Sequence, residues 1–81
     1  MLSLETHTKK TPAKILGHLK SFFGRNGLGL KLVSDCADHL TFEGGGGYVT
    51  AWLCRENDRT RVDFETREWE IPVERFVQTL I

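Results

Sequence analysis

Hydrophobic positions along the chain switch between two periods, and each switch marks an element. Leu2, Leu4, Thr6 and Thr8 alternate with Ser3, Glu5 and His7, the period of two that predicts a short strand. Thr11-Pro12 follows, a threonine N-cap with proline at the first helical position. From there Ile15, Leu16, Leu19, Phe22 and Phe23 share one helical face of about three turns, with Lys14, His18, Lys20 and Ser21 off it. Gly24 or Gly27 is expected to end that helix through the left-handed conformation glycine tolerates.

Leu28, Leu30 and Leu32 alternate with Gly29, Lys31 and Val33, which predicts a second strand, and Ser34 to Asp38 has the polar composition of a turn. A third strand is expected over His39 to Glu43, with Leu40 and Phe42 on one face. Gly44 to Gly47 separate it from the most apolar segment, Tyr48 to Arg55. There Tyr48, Trp52 and Cys54 fall on one face and Val49 and Leu53 on the other. A strand apolar on both faces is expected to be central and covered twice. The second cover would be a ligand, a partner subunit or the chain's own aromatics. Glu56 to Arg59 predicts a hairpin turn, and Thr60 to Thr66 a strand with Val62 and Phe64 inward and Arg61, Asp63 and Glu65 outward. After Trp69, Pro72 is expected to open a last helix whose Val73, Phe76, Val77 and Leu80 share one stripe. The order is β-α-β-β-β-β-α: an α+β fold, an antiparallel meander sheet with two helices packed on one face.

Length limits what this pattern builds. Eighty-one residues organise one core, so residues 1–81 are taken as a single domain. No apolar run nears the roughly 20 residues needed to cross a bilayer, and Met1 to Lys10 lacks the apolar centre of a signal peptide. Two cysteines, Cys36 and Cys54, fall short of the disulfide framework of a small secreted domain. A cytoplasmic protein with reduced thiols is the expectation.

Net charge is zero but unevenly distributed. Through Lys31 the chain carries six cations (Lys9, Lys10, Lys14, Lys20, Arg25, Lys31) against Glu5, a balance of +5; five arginines against ten acids give −5 thereafter. A basic helix lying near an acidic sheet, or two copies pairing tail to head, accounts for this split. Nucleic acid is disfavoured as a partner, because no aromatic residues interleave with the lysines as stacking platforms.

Candidate chemistry is sparse. The glycine run precedes a strand and is not followed by Gly-Lys-Ser/Thr, so a tight hairpin turn or a flexible loop is expected there and not a phosphate loop. Cys36-x-x-His39 has metal-like spacing, but His7 and His18 lie in other elements and a structural zinc needs four ligands; no metal and no cofactor is expected. A Cys36–His39 nucleophile would sit in a wet turn with little to exclude water. Cys54 is expected to be a small core residue. Asp63, Glu65, Glu68 and Glu70 alternate with Arg61 and Arg67, as exposed cross-strand charges do. Phe42, Tyr48, Trp52 and Trp69 are either core or the anchors of an interface.

One resemblance bears on this choice. Thr11-Pro12-Ala13-Lys14-Ile15-Leu16, the strand Arg59-Thr60-Arg61-Val62-Asp63-Phe64 and the segment Trp69 to Leu80 make the chain resemble a shortened helix-grip protein of the Bet v 1-like (START-related) superfamily. That resemblance implies an apolar ligand enclosed between the sheet and the closing helix, with Val73, Phe76 and Val77 lining a cavity beside Trp52. Two functions are therefore carried forward. The first is a non-enzymatic cytosolic domain that pairs with itself or another protein through its sheet. The alternative is a binder of a small apolar molecule.

Overall fold

The computed structural model describes residues 1–80. Seven elements follow in the predicted order: β1 (Leu2–Thr8), α1 (Pro12–Phe23), β2 (Lys31–Cys36), β3 (His39–Gly44), β4 (Gly47–Glu56), β5 (Arg59–Arg67) and α2 (Glu70–Leu80). The fold is α+β. Its five strands form one antiparallel sheet in the order β1-β5-β4-β3-β2, so α1 joins opposite edges of the sheet and β4 is the middle strand.

Local chemistry explains most of the boundaries. Thr11 caps α1 by accepting the Lys14 N–H at its side-chain oxygen, and Pro12 occupies the first turn, where a missing N–H costs nothing. Gly24 ends α1, but in an extended conformation (φ −79°, ψ −160°) and not the left-handed one expected. Glycine is needed there for closeness, because a Cβ would collide with the Lys20 carbonyl. Two-residue turns join the meander strands. In the turn between β3 and β4, Gly45 and Gly46 take φ of 57° and 81°, the pair of positive values that matches the twist of a tight hairpin. Trp69 clamps that turn by donating its indole N–H to the Gly44 carbonyl at 2.8 Å.

Two boundaries differ from expectation. The second strand begins at Lys31, not Leu28, and runs on through Ser34, Asp35 and Cys36 to a turn of only Ala37 and Asp38. Its alternation is broken by a bulge, for Leu32 pairs with Phe42 while Ser34 pairs with Thr41. The extra residue, Val33, inverts the facing of everything after it. Asp35 consequently shares the helix side with Leu40, where Lys20 of α1 meets it at 3.0 Å. The second helix starts at Glu70, with Val73 N–H bonded to the Trp69 carbonyl, so Pro72 stands within the first turn and does not open it.

Both helices lie on one side of the sheet. Ile15, Leu19 and Phe23 of α1 and Val73, Phe76, Val77 and Leu80 of α2 pack with Leu40, Phe42, Val49, Ala51, Leu53, Val62 and Phe64 in one core. Phe76 is its hub, with ring centroids 5.4, 5.7 and 5.9 Å from Phe22, Phe23 and Phe64. These tilted and edge-on contacts suit aromatic quadrupoles. Among the described residues no helix is long and apolar enough to cross a membrane.

Candidate functional site

Strand parity divides the seven sequence candidates. Phe42, Val73, Phe76 and Val77 are buried in the core. Trp69 is half-buried against the same core and holds the glycine turn. Tyr48 and Trp52 belong to the other side, because the alternation that turns Val49, Ala51 and Leu53 toward the helices turns Tyr48, Thr50 and Trp52 away. The expected cavity of Val73, Phe76 and Val77 beside Trp52 is therefore not formed: the sheet stands between them, and Phe76 is already packed against three other phenylalanines. Nor is β4 covered twice. Trp52, 44% exposed, lies in the middle of a sheet face that no helix overlies.

Register gives the layout of that open face. Across the middle runs Glu5–Asp63–Trp52–His39–Cys36, and beside it Ser3–Glu65–Thr50–Thr41–Ser34. The β1–β5 half is acidic and cross-linked. Arg61 Nε donates to Asp63 and its Nη1 to Glu56, both at 3.1 Å, and His7 Nε2 lies 3.2 Å from Glu56. Asp63 first and Glu56 second hold the Arg61 guanidinium above its ordinary pKa. Tyr48 donates its hydroxyl to Glu65 at 2.6 Å; that bond, with burial and the carboxylate's charge, raises the phenol's pKa, while Arg67 opposes the rise. Trp52 walls a shallow groove of about 300 Å³ shared with Ser3, Glu5, Asp63 and Glu65.

The β3–β2 half carries a second polar chain. Ser34 Oγ lies 3.1 Å from His39 Nε2, and His39 Nδ1 lies 3.4 Å from Asp38 Oδ1. The imidazole satisfies both if Nδ1–H donates to the carboxylate and Nε2 accepts the serine hydroxyl. The residue types are those of a nucleophile, a base and an orienting acid. Their setting is different: the Asp38 side chain is 79% exposed in the turn, so water competes for it and the imidazole is loosely held. The chain ties the β2–β3 hairpin together.

The sequence pairing of Cys36 with His39 does not produce a thiol–imidazole contact; His39 bonds to Ser34 and Asp38 instead. Ser34 escapes a reading of the sequence because nothing in a single chain announces the bulge that turns it toward His39. Cys54 is exposed and not a core residue, a consequence of sharing its facing with Trp52. Cys36 is exposed as well, and both thiols are free. Among the described residues no group of His, Cys, Asp and Glu is arranged to hold a metal ion. No protein-family model matches the chain, and no curated protein matches it.

Proposed function

We propose that this protein is a small non-enzymatic domain of the cytoplasm that docks a protein, in the first instance a second copy of itself, through the open face of its sheet. The carrying observation is Trp52, a large side chain 44% exposed at the centre of an uncovered face. Tryptophan is enriched among residues that dominate binding energy, and anchors of this kind sit centrally with polar groups around them. Exposed free thiols at Cys36 and Cys54 fit a reducing compartment.

Symmetry supports a second copy as the occupant. A two-fold axis lying between two sheets along β4 brings Trp52 onto Trp52 and reverses the strand order of the partner. The acidic half with Glu5 and Asp63 then lies over the half with His39 and Ser34. The two acidic halves are thereby kept apart, which lowers the electrostatic cost of self-pairing. Five strands make a face only about 20 Å wide, at the low end for a stable interface, so a micromolar dimer is expected.

The alternative, a small apolar molecule between sheet and α2, draws less support, because Phe76 fills that space against Phe22, Phe23 and Phe64. Native mass spectrometry with sedimentation over a concentration series separates the two. A dimer that Trp52→Glu abolishes supports docking through this face. A wild-type chain that stays monomeric at several hundred micromolar, with its tryptophan emission unchanged, sinks self-docking; a monomer carrying a reproducible small adduct favours the ligand binder.

A further inference from the structure

At the end of the sheet away from the glycine turn, a cleft of about 370 Å³ opens between β1, the start of β5 and the end of α2, lined by His7, Thr8, Lys9, Lys10, Arg59 and Leu80. Among the described lining residues Lys9, Lys10 and Arg59 are cations. A fourth, Arg55, is anchored next to it, for its Nη1 donates at 3.1 Å to Thr60 Oγ1. Lys20 and Arg61 elsewhere on the molecule have carboxylate partners. Among the described residues none of Lys9, Lys10, Arg55 and Arg59 has one, and Glu56, the acid that pairs with Arg59 in register, is already engaged by Arg61 and His7. The described last turn of α2 adds about half an elementary negative charge. Four cations held together in a chain of zero net charge leave a local positive field that an anion relieves.

The backbone beneath these cations is fixed. The fully buried Thr60 donates its hydroxyl to the Lys10 carbonyl at 2.9 Å while accepting from Arg55. Thr8, also buried, accepts the Lys10 N–H at 3.2 Å. Lys9 and Lys10 therefore project from a pinned segment and not from a loose tail, and less ordering entropy opposes binding. We infer that this cleft binds a small molecule through a phosphate or diphosphate group. Two ammonium groups from the segment after β1 and a guanidinium from the start of β5 line the cleft, which suits the several oxygens of a phosphoryl group better than a single carboxylate. No Phe, Tyr or Trp lines the cleft, so it offers no stacking platform for the bases of a single-stranded nucleic acid.

The test is a ¹⁵N-resolved NMR titration of the full chain with inorganic phosphate and then pyrophosphate, ionic strength being held constant with sodium chloride. Expected are saturable shifts at Thr8 to Lys10 and at Arg59 and Thr60, with pyrophosphate half-saturating below about 1 mM. Arg59→Gln, an exposed position, weakens pyrophosphate roughly tenfold through the lost charge-assisted bonds, and Lys10→Gln acts in the same direction. Arg25→Gln, an exposed position beyond the far end of α1, leaves the affinity unchanged. The inference is overturned if chloride reproduces the shifts, if they spread evenly over Lys14, Lys20 and Arg25, or if Arg59→Gln binds as the wild type does. A single-stranded oligonucleotide that binds more tightly than pyrophosphate also overturns it, assigning the cleft to a nucleic-acid backbone.

Discussion

The two faces of the sheet come from the same strands and the same alternation, yet they do different work. On β4, Val49 and Ala51 are lost from solvent beneath the helices, while Trp52 next along remains 44% exposed. Cover makes the difference, for α1 and α2 both lie on one side. Burial of large apolar side chains contributes about 1.5–3 kcal/mol each, so the helix side carries most of the stability. The open side contributes little and is free to be shaped by what it meets. Trp52 on that side gives folding little, and it is the residue on which the proposed docking rests.

Phe76→Ala should produce the greatest loss of stability on the covered side. Phe76 is 1% exposed and touches three other rings, so its removal leaves a cavity costing about 3–5 kcal/mol. For a domain this small that is much of the total stability. Trp52→Ala removes a bulkier group but leaves no cavity, and is expected to shift monomer stability by less than about 1 kcal/mol. Urea unfolding at low protein concentration gives both values. Equal losses would erase the distinction between the faces.

Polar groups on the two faces differ in the same way. Thr60→Val keeps the shape of a buried residue but removes its hydrogen bonds to the Lys10 carbonyl and the Arg55 guanidinium, a loss of about 1–3 kcal/mol. Thr41 and Thr50 share a 3.1 Å hydroxyl contact on the open side. Thr41 is only half-buried and makes one such contact where the fully buried Thr60 makes two, so Thr41→Val is expected to cost less than Thr60→Val in the same unfolding assay. Gly45→Ala tests the clamp between the faces: φ is 57° and a Cβ would stand 3.0 Å from the Trp69 ring. The left-handed conformation alone costs roughly 1–2 kcal/mol for a residue with a Cβ, and calorimetry reads the fall in melting temperature.

How far the sequence reaches follows the same division. Helix α1 is legible from Thr11-Pro12 and five apolar positions, because capping and periodicity are local. Parity along β4 is legible too, and it correctly separates Trp52 from Val49 and Leu53. What parity leaves open is which side the helices take, since that depends on contacts distant in sequence. Grouping Val73 and Phe76 with Trp52 around one cavity fails for that reason. The bulge at Val33 is hidden for a different one. Leu28, Leu30 and Leu32 continue the alternation smoothly into a turn, whereas Gly29 at φ 83° and the pairing of Ser34 with Thr41 move the strand three residues on. Ser34–His39–Asp38 and the Lys20–Asp35 pair both depend on that shift. The cleft of Lys9, Lys10 and Arg59 likewise needs β1 paired with β5, a contact of about fifty residues' separation.

Tyr48 gives the smallest and most specific test of the open face. Its hydroxyl donates to Glu65, and that bond, then burial and the carboxylate's charge, lift its pKa above the ordinary 10.0. Folding therefore favours the neutral phenol. The stability this contributes is fully present below pH 10.0 and is lost as pH rises through the raised folded value, because a tyrosinate beside Glu65 has neither donor nor favourable charge. The chain has one tyrosine, so tyrosinate absorbance reports Tyr48 alone. Glu65→Gln should return the midpoint toward 10.0 by removing the carboxylate. Lysines titrate in the same range, so the stability effect is read as wild type minus Tyr48→Phe, a difference that begins to shrink above pH 10.0 and levels off above the folded midpoint. A titration unmoved by Glu65→Gln would mean that the acidic half of the face is not organised around this bond, and docking over that half would lose its fixed surface.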